Sequence, residues 1–227
     1  MYTIYPNQDK KSLFLKKFEE KAKKLGINSI AYTKISPKIA TEKDLKYSNA
    51  IVMTIKMWDE IIKESPSEKA KDMNSNLYKK FKEIAFILSK YLKENGHCTK
   101  LVIPNEKLLN LPMIAQKAGL GYIGKNKLLI TPNLGPQVKI AAILTDIENL
   151  PFSKENEHSW VKNYCKECKK CIEGCEEGSL QNHPSNLEKS AFNQDKCTAS
   201  TNACSYCIEK CPFYIEGYFQ IREKNLG

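Results

Sequence analysis

Apolar residues recur at Phe14, Phe18, Ala22 and Leu25, the period of one helix face, with Ser12 as N-cap and Gly26 just past the end. The period then changes. Residues 27–35 (INSIAYTKI) alternate as a strand does, and 49–57 (NAIVMTIKM) form a nearly continuous apolar run, the mark of a buried strand. Residues 61–74 are polar, contain Pro66 and are expected to form a surface loop. Helical period returns at Asn74 or Ser75, with Leu77, Phe81, Ile84, Leu88, Tyr91 and Leu92 as a core-facing stripe that Gly96 closes.

His97–Ile103 reads as a further strand, and Cys98 within it as a buried, inert side chain. Asn110 caps a helix with Pro112 in its first turn and Gly119 at its end. Leu128–Thr131 and Val138–Asp146 are expected as two strands joined by a turn over Pro132–Pro136. The polar stretch 147–163, with Pro151, reads as a linker.

Beyond it lies the densest chemistry of the chain. Cys165, Cys168, Cys171 and Cys175 have the C-x2-C-x2-C-x3-C spacing of bacterial ferredoxins, and Cys204, Cys207 and Cys211-Pro212 repeat its second part, with Cys197 displaced upstream by a longer loop. Short spacers let successive thiolates reach adjacent corners of an iron–sulfur cube. In ferredoxins the fourth cysteine of each run crosses to the other cluster. That rule assigns Cys165, Cys168, Cys171 and Cys211 to one 4Fe–4S cluster, and Cys175, Cys197, Cys204 and Cys207 to a second. Zinc, disulfides and unligated structural thiols are the competing readings. Zinc usually takes separated cysteine pairs, disulfides need an oxidising compartment, and unligated thiols would not repeat at fixed spacing. One departure is Glu176, which follows Cys175 where ferredoxins usually carry proline.

The expected fold is therefore α+β: an N-terminal α/β sandwich-like domain over residues 1–150, followed by a ferredoxin-like double 4Fe–4S domain over 158–227. A second unusual stretch, AGLGYIGKN (Ala118–Asn126), packs three glycines into six residues, which suits close approach of a ligand or a tight junction. It follows a helix instead of a strand, so it is not a dinucleotide fingerprint, and it lacks the spacing of a phosphate-binding Walker loop.

Composition adds little to the fold and something to the partners. With 227 residues and 41% hydrophobic content the chain can bury a real core, and no apolar run is long enough to span a bilayer. No secretory segment is evident, so a soluble, cytoplasmic protein without membrane contact is expected. The formal charge is +10. Two oxidised clusters with their thiolates would reduce it to roughly +6, still basic. A basic surface attracts tRNA or an acidic electron-donor protein of ferredoxin or flavodoxin type. Arg222 is the only arginine, and lysine-rich charge is more often a solvated surface than a nucleic-acid reader.

AGLGYIGKN, LLITPNLGPQVKIAAILTD (Leu128–Asp146) and the two cysteine runs together resemble the epoxyqueuosine reductases, relatives of the corrinoid-dependent reductive dehalogenases. The resemblance covers residues 105–215 and, more loosely, 12–58. It implies a double-cluster oxidoreductase whose N-terminal domain holds a base-off cobalamin, with the nearer cluster supplying its electrons. Gly121, Tyr122, Gly124, Lys125 and Asn126 match the motif on the corrinoid side. The alternative is an electron-transfer or corrinoid-reducing ferredoxin-type protein with no substrate of its own. Two departures bear on substrate. The family's proton-donating aspartate aligns with Asn105, which has no acidic proton to give, and the helical-repeat extension that helps hold tRNA is absent. Epoxyqueuosine reduction by this chain alone is accordingly expected to be negligible.

Overall fold

The two long apolar runs become the central strands of one sheet. In the computed structural model, which describes residues 13–35, 47–104, 109–153, 155–183 and 186–226, the strands are β1 (Ser29–Lys34), β2 (Asn49–Lys56), β3 (Thr99–Val102), β4 (Tyr122–Ile123), β5 (Leu129–Ile130) and β6 (Val138–Thr145), then β7 (Leu180–His183) and β8 (Asn186–Phe192). Ser12 and Asn105 lie outside the described residues. The main sheet has the order β1-β2-β6-β3, with β1 antiparallel to β2 and β3 antiparallel to β6. In β2 every residue from Asn49 to Ile55 is buried, and in β6 every residue from Ile140 to Thr145. Strands covered on both faces lose the alternation of half-exposed ones, which is why these two read as unbroken apolar runs.

Contacts divide the chain into two compact units. The first gathers residues 1–55, 79–120 and 139–157, and the second 56–78, 121–138 and 158–227. The first is mixed α/β. Helix α1 (Leu13–Lys24) buries Leu15, Phe18 and Ala22, and its buried Glu19 accepts a 2.6 Å hydrogen bond from Tyr32 on β1. Gly26 at φ +95° ends it in a conformation a side chain would resist. The expected stripe Leu77, Phe81, Ile84, Leu88 and Leu92 is buried, while Tyr91 is half-buried and stacks on Phe14. Helix α4 (Leu111–Lys117) packs on β1 and is capped by Asn110, whose side chain accepts from the Met113 amide.

The loop expected over 61–74 is instead helical. Helix α2 (Asp59–Lys63) buries Ile61 and Ile62, and α3 (Glu68–Glu94) begins two turns before the apolar stripe. Ser67 starts it: its Oγ accepts the Ala70 amide at 3.0 Å and its carbonyl accepts the Lys71 amide at 3.0 Å. Only Ala70 of this first part is fully buried, so apolar periodicity had nothing to report. Ser67→Ala should cost about 1 kcal/mol, the usual worth of a hydroxyl cap, read as a lower denaturation midpoint at unchanged slope.

Other expectations also change. β5 does not pair with β6 across the Pro132–Pro136 turn. It forms a hairpin with β4, in register Tyr122↔Ile130 and Ile123↔Leu129, while β6 enters the main sheet. Thr131 and Gly135 exchange two backbone hydrogen bonds of 2.9 Å, so the turn closes on itself. Cys98 is exposed, not buried, and its amide donates to both carboxylate oxygens of Asp146 at 3.1 Å. The long loop between the cysteine runs contains the hairpin β7–β8.

Candidate metal centre

All eight spaced cysteines belong to the second unit, four of them on short helices. Helix α5 (Val161–Cys168) carries Cys165 and Cys168 almost one turn apart. Lys169 then takes a left-handed conformation, φ 54°, which breaks the helix and lets α6 (Lys170–Glu173) bring Cys171 round from a new direction. From the second run, α7 (Tyr206–Glu209) carries Cys207. Cys211 has extended backbone and immediately precedes α8 (Pro212–Ile215), where proline suits the first helical position. Helix α9 (Tyr218–Leu226) follows.

Cys165, Cys168, Cys171 and Cys211 line one cavity, and Lys125, Asn126 and Ile130 line it too. Behind it packs an aromatic cluster that includes Phe213 and Tyr218, with Trp160 and Tyr164 at its margin. Tyr218 accepts a 2.8 Å bond from Trp160 and shares another with His158. This packing fixes α5 and α8 around the thiols.

Burial and neighbouring charge act on several of these thiols. Burial pushes Cys165 up to about 11, aided by the charge of Cys168 and opposed by a hydrogen bond from the Lys125 amide and by the Lys125 charge. Burial and the charges of Cys165 and Cys168 push Cys171 to about 12. Cys211 is driven well above the thiol range by burial, then by Cys165, Cys171 and Cys168. Cys207 reaches about 12 through burial and the charges of Cys171, Cys204, Cys197 and Cys175. Tyr164 is pushed well above the usual phenol range, first by burial and then by the charge of Cys168.

Cys175 behaves differently. Burial acts to raise it, but Ser179 Oγ at 3.0 Å and the amides of Gly178, Ser179 and Leu180 together hold it below the ordinary thiol value. Cys165, Cys168, Cys171 and Cys211 are gathered at one cavity, and the charges that act on Cys207 are those of Cys171, Cys204, Cys197 and Cys175.

Four thiols share this cavity, and burial and neighbouring thiol charge oppose ionisation of Cys165, Cys171 and Cys211, so the site favours positive charge at its centre. A 4Fe–4S core bears two positive charges and bonds four thiolates, so the four cysteines of this cavity suit it in number and type. Among the described residues no three Cys, His, Asp or Glu side chains close on a single ion.

The glycine-rich stretch stands against this site, not apart from it. A Cβ on Gly121 would collide with the Ile130 carbonyl oxygen, and one on Gly124 would lie 2.7 Å from Ile130 Cδ1 and 2.9 Å from Asn126 Oδ1. Tyr122 is half-buried against the aromatic cluster. Lys125 is 6% exposed and its Nζ donates to the Lys166 carbonyl at 3.3 Å; Asn126, 5% exposed, donates to the Cys207 carbonyl at 3.4 Å. Each of the five residues thus has a role within its own unit. The contact of Lys125 with the cysteine block was not foreseen, nor was the Ser179 bond to Cys175. A hydroxyl four residues after a ligand is the signal that could have found Ser179.

No protein-family model matches the chain. The tetrachloroethene reductive dehalogenase of Dehalobacter restrictus is 31% identical over 150 residues, 66% of this chain and 26% of that protein. The epoxyqueuosine reductase of Listeria monocytogenes is 31% identical over 113 residues, 50% of this chain and 25% of that one. Among solved structures, a reductive dehalogenase described by a mechanism for B12-dependent dehalogenation superposes with a TM-score of 0.74 at 19% identity, covering 91% of this chain and 33% of its own. An epoxyqueuosine reductase bound to an epoxyqueuosine-modified tRNA stem loop gives 0.61 at 19% identity, covering 88% and 65%. The chain spans less than a third of the length of these curated relatives. In sequence and in fold, it is related to the reductive dehalogenases and the epoxyqueuosine reductases.

Proposed function

We propose that this chain is an iron–sulfur oxidoreductase in which two 4Fe–4S clusters pass single electrons to a corrinoid that reduces the substrate. The observation that carries the reading is the cavity that Cys165, Cys168, Cys171 and Cys211 line together, with Cys207 under the charges of Cys171, Cys204, Cys197 and Cys175. Cys165, Cys168, Cys171 and Cys211 would hold the first cluster; Cys175, Cys197, Cys204 and Cys207 would hold the second. A cluster stores one electron by changing the charge of its core, and adjoining clusters can hand that electron on. The donor is a one-electron protein of ferredoxin or flavodoxin type, suited to a basic chain.

Cobalamin as acceptor is supported by the likeness to a B12-dependent dehalogenase. The five residues first associated with it are engaged in packing and hydrogen bonds within their own unit. That same observation favours a second reading, an electron-transfer or corrinoid-reducing ferredoxin-type protein with no substrate of its own. Organohalides and tRNA-borne epoxyqueuosine are the substrate classes that the relatives' names support. Among the described residues no helix is long and apolar enough to cross a membrane.

Anaerobic reconstitution should give about eight irons per chain and an EPR signal on reduction. Reproducible zinc with no iron would overturn the cluster reading. Titration with cobalamin under reducing conditions then separates the two functions: saturable binding with a base-off spectrum supports the reductase, and its absence supports the electron carrier.

A further inference from the structure

Lysine is rarely buried, because its ammonium loses water that an apolar interior does not replace. Lys125 is 6% exposed nonetheless. Its Nζ donates to the carbonyl of Lys166, which lies on α5 between Cys165 and Cys168, and its side chain lines the cavity that those cysteines share with Cys171 and Cys211. A buried cation and four thiols thus share one cavity.

We infer that Lys125 is a positioning residue for the cluster of Cys165, Cys168, Cys171 and Cys211, where its buried charge raises the reduction potential above that of the same cluster without it. The inference rests on the cluster reading above. With four thiolates, an oxidised 4Fe–4S core has a net charge of about −2 and a reduced one about −3. A nearby cation stabilises the second state more than the first, so reduction is favoured, and low dielectric strengthens the effect. The electron comes from the external one-electron donor, and no bond to Lys125 forms or breaks. Lys169 lines the same cavity but is half-exposed, so solvent screens its charge more. The second set has a different device: Cys175 is held by Ser179 and backbone amides. The two clusters are therefore tuned by separate groups and can be shifted one at a time.

The test is an EPR-monitored redox titration of the reconstituted full chain, comparing wild type, Lys125→Met and Lys125→Arg, with Cys207→Ala used to assign the two midpoints. Lys125→Met should keep its iron and lower the first midpoint by at least a tenfold change in the reduction equilibrium, about 59 mV for one electron. The second midpoint should move much less, and Lys125→Arg should remain close to wild type. Full iron with both midpoints unchanged, or an equal fall in both, would overturn the inference. Wild type that takes up no iron would instead defeat the cluster reading beneath it. If Lys125→Met loses iron, pulsed EPR on protein labelled with 15N-lysine replaces it. Wild type should then show a nitrogen coupling to the first cluster that Lys125→Arg lacks, and an identical spectrum from both would overturn the inference.

Discussion

Cys175→Ala should remove the cluster of Cys197, Cys204 and Cys207 while sparing the one held by Cys165, Cys168 and Cys171, its nearest neighbours in sequence. The structure motivates this crossing. Cys211 of the second run shares a cavity with Cys165, Cys168 and Cys171, and the charges on Cys207 are those of Cys171, Cys204, Cys197 and, last, Cys175. Each single substitution should therefore halve the iron, from about eight atoms to about four. Pairs make the test decisive. Cys168→Ala with Cys211→Ala removes two ligands of the same cluster and should still leave about four irons. Cys168→Ala with Cys175→Ala strikes both clusters and should leave almost none. Iron and sulfide analysis of anaerobically reconstituted protein reads the result. If the first pair emptied the protein and the second left half its iron, each cysteine run would own its own cluster.

The gathering of Cys165, Cys168 and Cys171 at one cavity was legible in the sequence, because at that spacing they lie too close together to serve distant elements. Long core elements were legible for a similar reason, since β2, β6 and the buried stripe of α3 leave their periods in the order of residues. What the sequence hid was non-local. Residues 56–78 and 121–138 belong to the same compact unit as the cysteines, although long stretches of chain intervene. Ser65 shows how this is done: its Oγ donates to the Ala203 carbonyl at 3.0 Å and accepts the Ser205 amide at 2.7 Å. Nothing near Ser65 in sequence announces a partner 140 residues away. The glycines were ambiguous for a related reason. A glycine marks a place where a Cβ does not fit, but it does not say what fills the space, and at Gly121 and Gly124 the filler is Ile130 and its neighbours.

Gly121→Ala is the substitution that turns this distinction into a measurement. The added methyl would run into the carbonyl oxygen of Ile130, with its carbonyl carbon and the Cα of Thr131 close behind. All three are backbone atoms in or beside the β4–β5 hairpin, so no rotamer change relieves the clash, and the hairpin itself must open. Gly124→Ala meets mainly the Ile130 side chain, 2.7 Å from Cδ1, which can rotate away. Overpacking of the unyielding kind costs about 3 kcal/mol, and the yielding kind about 1 kcal/mol. The cost at Gly121 should reach the metal centre too, because Ile130 lines the cavity of Cys165, Cys168, Cys171 and Cys211. Denaturant unfolding of the reconstituted protein should thus show a large loss for Gly121→Ala and a small one for Gly124→Ala. Iron loss in the first variant should be confined to that cluster. A corrinoid contact at these glycines predicts a different result: weaker cobalamin binding in both variants, with stability and iron content close to wild type. Gly121→Ala protein within about 0.5 kcal/mol of wild type, the ordinary scatter of surface substitutions, would show that the hairpin tolerates the methyl and that packing does not explain the glycine.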